Sequence, residues 1–340
     1  MSSGRPPANA TCGFITRHTM KALRIDRGSL QLSEVPLPAA DGEAVVRVIK
    51  SGICGTDLEL VKGYSGFQGT PGHEFVGRIE SAPDSPELVG KRVVGEINAG
   101  CGVCELCKSG DPRHCPARTV LGIVGRDGAH AEFLKLPTRN LTAVPDNISN
   151  ETAVFTEPLA AAVGITERVE FDADDQVAVI GDGKLGILCA RAILATTPAK
   201  SVTLIGKHRE KLNLVGNDGI ETLQVGESSG IRNMFDVVVE ASGSEGGFAS
   251  ALDLVKPRGL IVLKSTFHGL PAWEASRVVV DEITVVGSRC GRFAPALDLL
   301  SSNQIRVDDL ISEEFSLTNG VAAFERAGTR GVLKVLLSMD

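Results

Sequence analysis

One tryptophan and one tyrosine stand among 340 residues, and that scarcity excludes a class of functions at once. Single-stranded nucleic acid is gripped by stacked aromatics interleaved with cations. Neither the aromatics nor a basic block is present, and the net charge of -7 argues against any polyanion surface. Long apolar runs are missing as well. The stretch from Leu185 to Ala195 is interrupted by Arg191, well short of the roughly 18 apolar residues that span a bilayer. No charged-then-apolar secretory signal opens the chain. A small molecule is therefore the expected partner, with no nucleic acid and no membrane.

Acidic residues are absent from positions 1–20, which carry Arg5 and Arg17 among serines and threonines and end at Met20. This segment reads as an N-terminal extension ahead of the folded chain. A basic, hydroxyl-rich, acid-poor leader can also direct organelle import. Cytoplasmic residence is expected, with import through residues 1–20 left open.

What remains describes a globular chain long enough for two domains. Hydrophobic residues make up 43% and there are 38 glycines, pointing to packed cores joined by many tight turns. Eight cysteines are present, and four of them fall at metal spacing. That pattern suits a reducing compartment better than a disulfide framework.

From Lys21 to about Asn150 short apolar runs are broken by Gly and Pro. Ala44 to Ile49, Phe75 to Ile79, Arg92 to Gly95 and Ala131 to Leu136 read as strands of a β-rich domain. After Glu157 the rhythm changes. Runs at Gln176–Ile180, Ser201–Ile205, Thr222–Val225, Asp236–Glu240, Gly259–Leu263 and Ile283–Val286 alternate with helical stretches, among them 185–195, 208–215 and 246–255. Six buried strands alternating with helices predict an α/β fold, a doubly wound parallel sheet of the Rossmann type. Helices near 294–300 and 322–327 and a strand over 331–336 close the chain, free to return to the first domain.

Cys101, Cys104, Cys107 and Cys115 are spaced C-x2-C-x2-C-x7-C within fifteen residues. Four thiolates on short turns suit tetrahedral zinc, and a closed site of this kind stabilises a fold without doing chemistry. Gly181-Asp-Gly183-Lys184-Leu185-Gly186 closes an apolar strand and opens a helix. In that context the first glycine makes the turn, the second admits a pyrophosphate, and the third allows close packing. Amide donors and the dipole of the helix N-terminus complete the anion site. The end of the second strand, Gly206-Lys207-His208-Arg209, has no acid to bond an adenosine ribose. Its three cationic positions favour NADP over NAD through the 2′-phosphate. Cys54, His73 and Glu157 are the ligand types an open catalytic zinc uses, although spacing alone does not join them.

Taken together, G-I-C-G-T-D at 52–57, P-G-H-E at 71–74, the cysteine lobe, E-P-L at 157–159 and the glycine loop occur in an order that resembles the zinc-containing medium-chain dehydrogenase/reductase superfamily. The resemblance is to the branch around alcohol, sorbitol and threonine dehydrogenases, and it covers nearly everything from Met20 onward. It implies a GroES-like catalytic domain over 21–157, with a structural zinc lobe at about 96–116. A Rossmann domain comes next over 158–293, and residues 294–340 return to the catalytic domain. Cys54, His73 and Glu157 match catalytic-zinc ligands, and Glu74 matches the glutamate that ligates directly or exchanges with water. Thr56 matches the hydroxyl that passes the substrate proton outward, while Cys101, Cys104, Cys107 and Cys115 match the structural site. Two zinc ions per chain are thus expected. Glu59 departs from the pattern, standing where polyol enzymes commonly carry a relay histidine. A carboxylate can relay protons too, with a lower ordinary pKa of about 4.3, and Glu59 is counted with the catalytic residues. Arg289, and at the fifth strand Lys264 and Ser265, fall near the expected nicotinamide and its ribose.

The implied activity is a zinc-dependent, NAD(P)-linked alcohol or polyol dehydrogenase, running as an aldehyde or ketone reductase in reverse. Homo-oligomers, dimers or tetramers, accompany the resemblance. A zinc-free quinone or enone reductase of the same fold and a non-enzymatic cofactor-binding protein are the alternatives.

Overall fold

The computed structural model of the chain describes residues 18–39, 41–228, 230–265 and 274–339. The extension expected over residues 1–20 lies outside the described residues up to position 17.

The strand Ala44–Gly52 buries Val45, Val46 and Val48, β-branched side chains that fit a pleated surface against a core. It pairs antiparallel with Glu74–Ser81, with Phe133–Leu136 near its start, and with Lys334–Ser338 at its end. Ile311–Ser316 flanks the last of these, while Arg92–Gly95 and Leu141–Ala143 extend the opposite side, giving seven strands. Val46, Val48, Phe75, Ile79, Val93 and Leu136 share the core beneath. The register sets Gly52 opposite both Glu74 and Leu336. A piece of the tail is thereby built into the sheet of the first half.

All six strands expected after Glu157 are present, parallel, and ordered Glu221–Gln224, Ser201–Gly206, Gln176–Ile180, Phe235–Glu240, Val255–Leu263, Thr284–Gly287. Alternate residues of Gln176–Ile180 face opposite ways, as the period of two requires. Val177 and Val179 share a cluster with Ile187 and Leu188 of helix Lys184–Thr196. Ala178 and Ile180 share one with Phe248 and Leu252 of helix Gly247–Leu254. Both faces are covered, which explains why the strand reads as continuously apolar. The chain runs outward from Gln176–Ile180 in one direction, then restarts beside it with Phe235–Glu240. The crevice at such a reversal, beyond the strand C-termini, is where doubly wound sheets hold ligands.

Several boundaries differ from the sequence reading. The fifth strand begins at Val255 rather than Gly259, across a register irregularity. The charged helix is Arg209–Leu212 followed by a 3-10 turn, Asn213–Val215. The last strand is Lys334–Ser338 rather than 331–336. Helices Gly55–Val61, Asn150–Val154, Thr156–Val163 and Ala275–Val280 are additional to the expected set. They have five to eight residues, between about one and a half and two turns, too short for a 3.6-residue period to register in sequence.

Arg191 ties the glycine-loop helix to later segments of the chain. Only 4% of its side chain is exposed, and it donates to Asp309 at 2.9 and 2.6 Å, to Asp218 at 2.7 Å and to the Arg306 carbonyl at 2.8 Å. Among the described residues, no helix is long and apolar enough to cross a membrane.

Candidate active site

Cys54 occupies the N-cap of helix Gly55–Val61. Asp57, three residues on, accepts from the Cys54 amide at 2.8 Å and from the Gly72 amide at 3.1 Å. One fully buried carboxylate therefore joins the loop of Cys54 to the loop of His73, and its Oδ1 lies 3.3 Å from His73 Nδ1. His130 extends this chain inward, with Nε2 3.4 Å from Asp57 Oδ2 and Nδ1 2.9 Å from the Ser51 hydroxyl. Donor atoms of Cys54, His73 and Glu74 all fall within 4.8 Å of one another.

Glu74 begins the strand after His73, and its side chain is wholly buried. Its Oε2 is ion-paired with Nζ of Lys334, itself wholly buried. Oε1 has no hydrogen-bond partner and lies 3.7 Å from Lys184 Nζ. Gly52 makes room for this arrangement: a methyl there would meet Glu74 Oε2 at 2.7 Å, Val154 Cγ1 at 2.8 Å and Lys334 Cδ at 3.2 Å. Lys334 also reaches the Ile53 carbonyl at 3.4 Å and lies 5.6 Å from the Phe155 ring centre.

Charge within the pocket is strongly redistributed. Burial alone would raise the Cys54 thiol, but Lys184 and His73 bring it well below its ordinary value. Burial opposes a charged His73, yet Asp57 and Cys54 hold it well above the usual imidazole range. Burial also brings Lys334 down to about 8. A sulfur prone to ionise, an imidazole, and a buried carboxylate oxygen lacking a partner form a donor set that fits zinc.

Glu157, in the first turn of Thr156–Val163, stands outside that group. Burial, opposed by His73 and reinforced by Cys54 and Glu96, pushes its carboxyl up to about 7. It is thus within electrostatic reach of the pocket. Thr56 stays beside Cys54, whose thiol donates to Oγ1 at 3.9 Å. Glu59 is turned away: it pairs with Lys62 at 2.8 Å on the solvent side of the helix, 42% exposed. A helix of seven residues turns through about 100° per residue, so Glu59 and Cys54 cannot face the same way.

The four cysteines of the lobe also converge, with sulfurs within 4.8 Å. Backbone amides of Val103 and Cys104 bring Cys101 down to about 6. Burial raises Cys107 to about 11. The Cys101 amide donates to Cys115 Sγ at 3.4 Å, folding the first cysteine onto the last. Sulfurs so arranged fit a closed tetrahedral ion.

Across the cleft, Gly181 has φ of 120° and a methyl on it would strike the Ala241 carbonyl oxygen at 2.6 Å. A methyl on Gly186 would strike the Gly181 oxygen at 1.8 Å, whereas Gly183 has open space within 4 Å. The middle position therefore faces the opening in which a pyrophosphate fits. Leu185 packs against the core of the sheet, and Lys184 donates to the Ile53 carbonyl at 2.9 Å. At the second strand's end, Lys207 is exposed. His208 donates its amide to Asp182 at 2.6 Å and holds Nδ1 3.0 Å from the same carboxylate. Arg209 is ion-paired with Glu227.

Arg289 braces the two halves: it donates to Asn98 Oδ1 at 3.0 Å and to the Arg113 carbonyl at 2.6 Å. Lys264 is buried and bonded to Ser288 at 3.2 Å and to the Arg289 carbonyl at 3.0 Å. Ser265 accepts from the Gly243 amide at 2.8 Å. Sequence reasoning missed Lys334 and His130 as parts of the site. Asp57 was available, since it stands at the third helical position after Cys54, where carboxylates cap.

Comparison with known proteins places these features in a wider set. Residues 40–146 match the alcohol dehydrogenase GroES-like domain. The chain is 31% identical to an L-threonine 3-dehydrogenase of Anaeromyxobacter dehalogenans, over 79% of this chain and 83% of that protein. It is 28% identical to a sorbitol dehydrogenase of Halalkalibacterium halodurans, over 92% and 96% respectively. Among solved structures, the alcohol dehydrogenase RspB of Escherichia coli CFT073, complexed with NADH, superposes with a TM-score of 0.87. The match has 26% identity and covers 95% of this chain and 100% of that one.

Proposed function

The chain belongs to the zinc-containing medium-chain dehydrogenase/reductase superfamily, and from that premise we propose that it is a zinc-dependent, NAD(P)-linked alcohol or polyol dehydrogenase. The observation that carries the reading is the convergence of Cys54, His73 and Glu74 within 4.8 Å, facing a glycine loop joined to the same pocket through Lys184. Cys54, His73 and Glu74 would hold the ion, with Glu157 as the further ligand beside them.

Bound zinc supplies Lewis acidity toward an alcohol or carbonyl oxygen, and the dinucleotide carries the hydride. The protein's own part is geometry and proton handling. Asp57 stands 3.3 Å from His73 Nδ1, a charge partner for the imidazole, and its bonds to the Cys54 and Gly72 amides keep the two ligand loops together. Thr56 Oγ1 takes the substrate hydroxyl proton and passes it outward. Glu59, paired with Lys62, does not continue that relay.

Gly206 is followed by no acid, Asp182 is engaged by His208, and Lys207 is exposed at the end of the strand, where it would meet a phosphate. These features support NADP over NAD. A clear NADH preference in apparent affinity would overturn that choice. Among the described residues Thr284–Gly287 is an edge strand of its sheet, and Val279 and Val280, shortly before it in the chain, are 76% and 77% exposed. These features support a homo-oligomer, dimer or tetramer. Sedimentation measures it.

Metal analysis combined with a screen over polyols, amino alcohols and aldehydes, using both cofactors, tests the whole reading. Two zinc ions per chain and alcohol-dependent reduction of the dinucleotide are expected. One zinc per chain with activity only toward quinones or enones would favour the zinc-free reductase instead.

A further inference from the structure

Lys184 belongs to two places. It is the first residue of helix Lys184–Thr196, inside the glycine loop. Its side chain nevertheless crosses the cleft, bonding the Ile53 carbonyl at 2.9 Å and standing 3.7 Å from Glu74 Oε1. That oxygen is buried and has no hydrogen-bond partner, while Lys334 occupies the other oxygen of the same carboxylate. Glu74 is thus the carboxylate that both Lys184 and the donor group of Cys54 and His73 approach, and Oε1 is the oxygen that Lys334 leaves without a hydrogen bond. Nothing in a pyrophosphate-binding loop requires such a reach, since its donors are backbone amides.

We propose that Lys184 is a positioning residue that couples dinucleotide binding to retention of the metal at Cys54, His73 and Glu74. The inference rests on the zinc and dinucleotide reading given above. A cation that draws on Glu74 Oε1 takes from Lys184 its nearest carboxylate and adds a like charge beside it. Such repulsion is strong where water is excluded. The ammonium is then favoured toward the pyrophosphate that the N-terminus of its own helix receives, where a charge-assisted hydrogen bond awaits it. Metal therefore strengthens dinucleotide binding. Linkage requires the dinucleotide to strengthen metal binding by the same factor.

The test measures zinc affinity at the Cys54 site by chelator competition, in full-length protein whose cysteine lobe stays loaded. The probes are ADP-ribose and its 2′-phosphate, which carry the pyrophosphate without a nicotinamide to cover the ion. Wild type and Lys184→Arg are expected to hold this zinc about fivefold or more tightly with probe bound, the lower range of measured couplings. Lys184→Met is expected to show less than about a twofold change by the same measure. Lys184→Gln keeps a donor for Ile53 without the charge, and behaves like Lys184→Met even where the latter weakens the fold. Equal tightening in Lys184→Met or Lys184→Gln, or none in wild type, overturns the coupling alone. A wild-type protein that holds no second zinc, or binds neither probe, overturns the underlying reading together with it.

Discussion

Lys334 and Glu74 form an ion pair in which neither side chain has any exposure to solvent. They arrive from strands on opposite sides of Ala44–Gly52, and both lie over the missing side chain of Gly52. Removing one partner of a buried pair leaves the other charged and uncompensated, at about 3–5 kcal/mol. Lys334→Met is expected to lose about that much in denaturant unfolding of the metal-free protein. The loss is expected to shrink when zinc is bound, because the ion restores a positive partner to Glu74. An equal loss in both states would contradict the arrangement.

Cys54→Ser and His73→Ala are expected to abolish turnover while the protein still folds and binds dinucleotide. On the proposed reading both side chains act as metal ligands, and neither belongs to an apolar core cluster. Circular dichroism, zinc content and dinucleotide titration separate the effects. Full activity in either variant would remove the zinc mechanism.

The cysteine lobe predicts the reverse order of damage. Cys101→Ser is expected to lower the thermal midpoint and one equivalent of zinc before it lowers kcat in the protein that remains folded. A variant of normal stability that has lost only turnover would show that the lobe does more than brace the domain.

Acid should attack the Arg191 clamp. Burial tends to raise Asp309, but Arg191 outweighs it and holds the carboxyl below its ordinary value. A depressed carboxyl stabilises the folded state above the unfolded value of about 3.9. That contribution disappears as pH falls through the lower folded value. Unfolding free energy measured from pH 6 downward is therefore expected to decline below about pH 4, and Asp309→Asn is expected to flatten the decline. Asp309→Asn should also cost about 3 kcal/mol at neutral pH, since Arg191 keeps Asp218 but loses a bidentate partner. A slope unchanged in the variant would assign acid sensitivity elsewhere.

Sequence pattern carried the parts of the fold that repeat. Val177 and Val179 announce a strand because both faces of a parallel sheet are dry, and Gly181, Gly183 and Gly186 announce the loop because each has a distinct backbone task. The cysteine lobe was readable for the same reason: its partners are near in sequence. The pocket around Glu74 was not. A lysine inside a strand reads as a solvent-facing residue, and only the register of Lys334–Ser338 against Gly52 turns Lys334 inward. Lys184 was legible as part of a phosphate loop, but its reach to Ile53 depends on how the two halves meet. The pairing of Glu59 with Lys62 on the solvent side was not legible for a local reason, since helix Gly55–Val61 is too short to declare which side each residue takes.

The strand pairing of the tail also sets a timetable for biosynthesis. Glu74 and Lys334 are separated by 260 positions, so the ribosome has released Glu74 long before its counter-charge exists. During translation that carboxylate must stay wet, or borrow a cation, until residues 334–338 emerge and add their strand. The pocket around Glu74 is consequently among the last places in the protein to close, whereas the four cysteines of the lobe, all made by residue 115, can converge while most of the chain is still unmade.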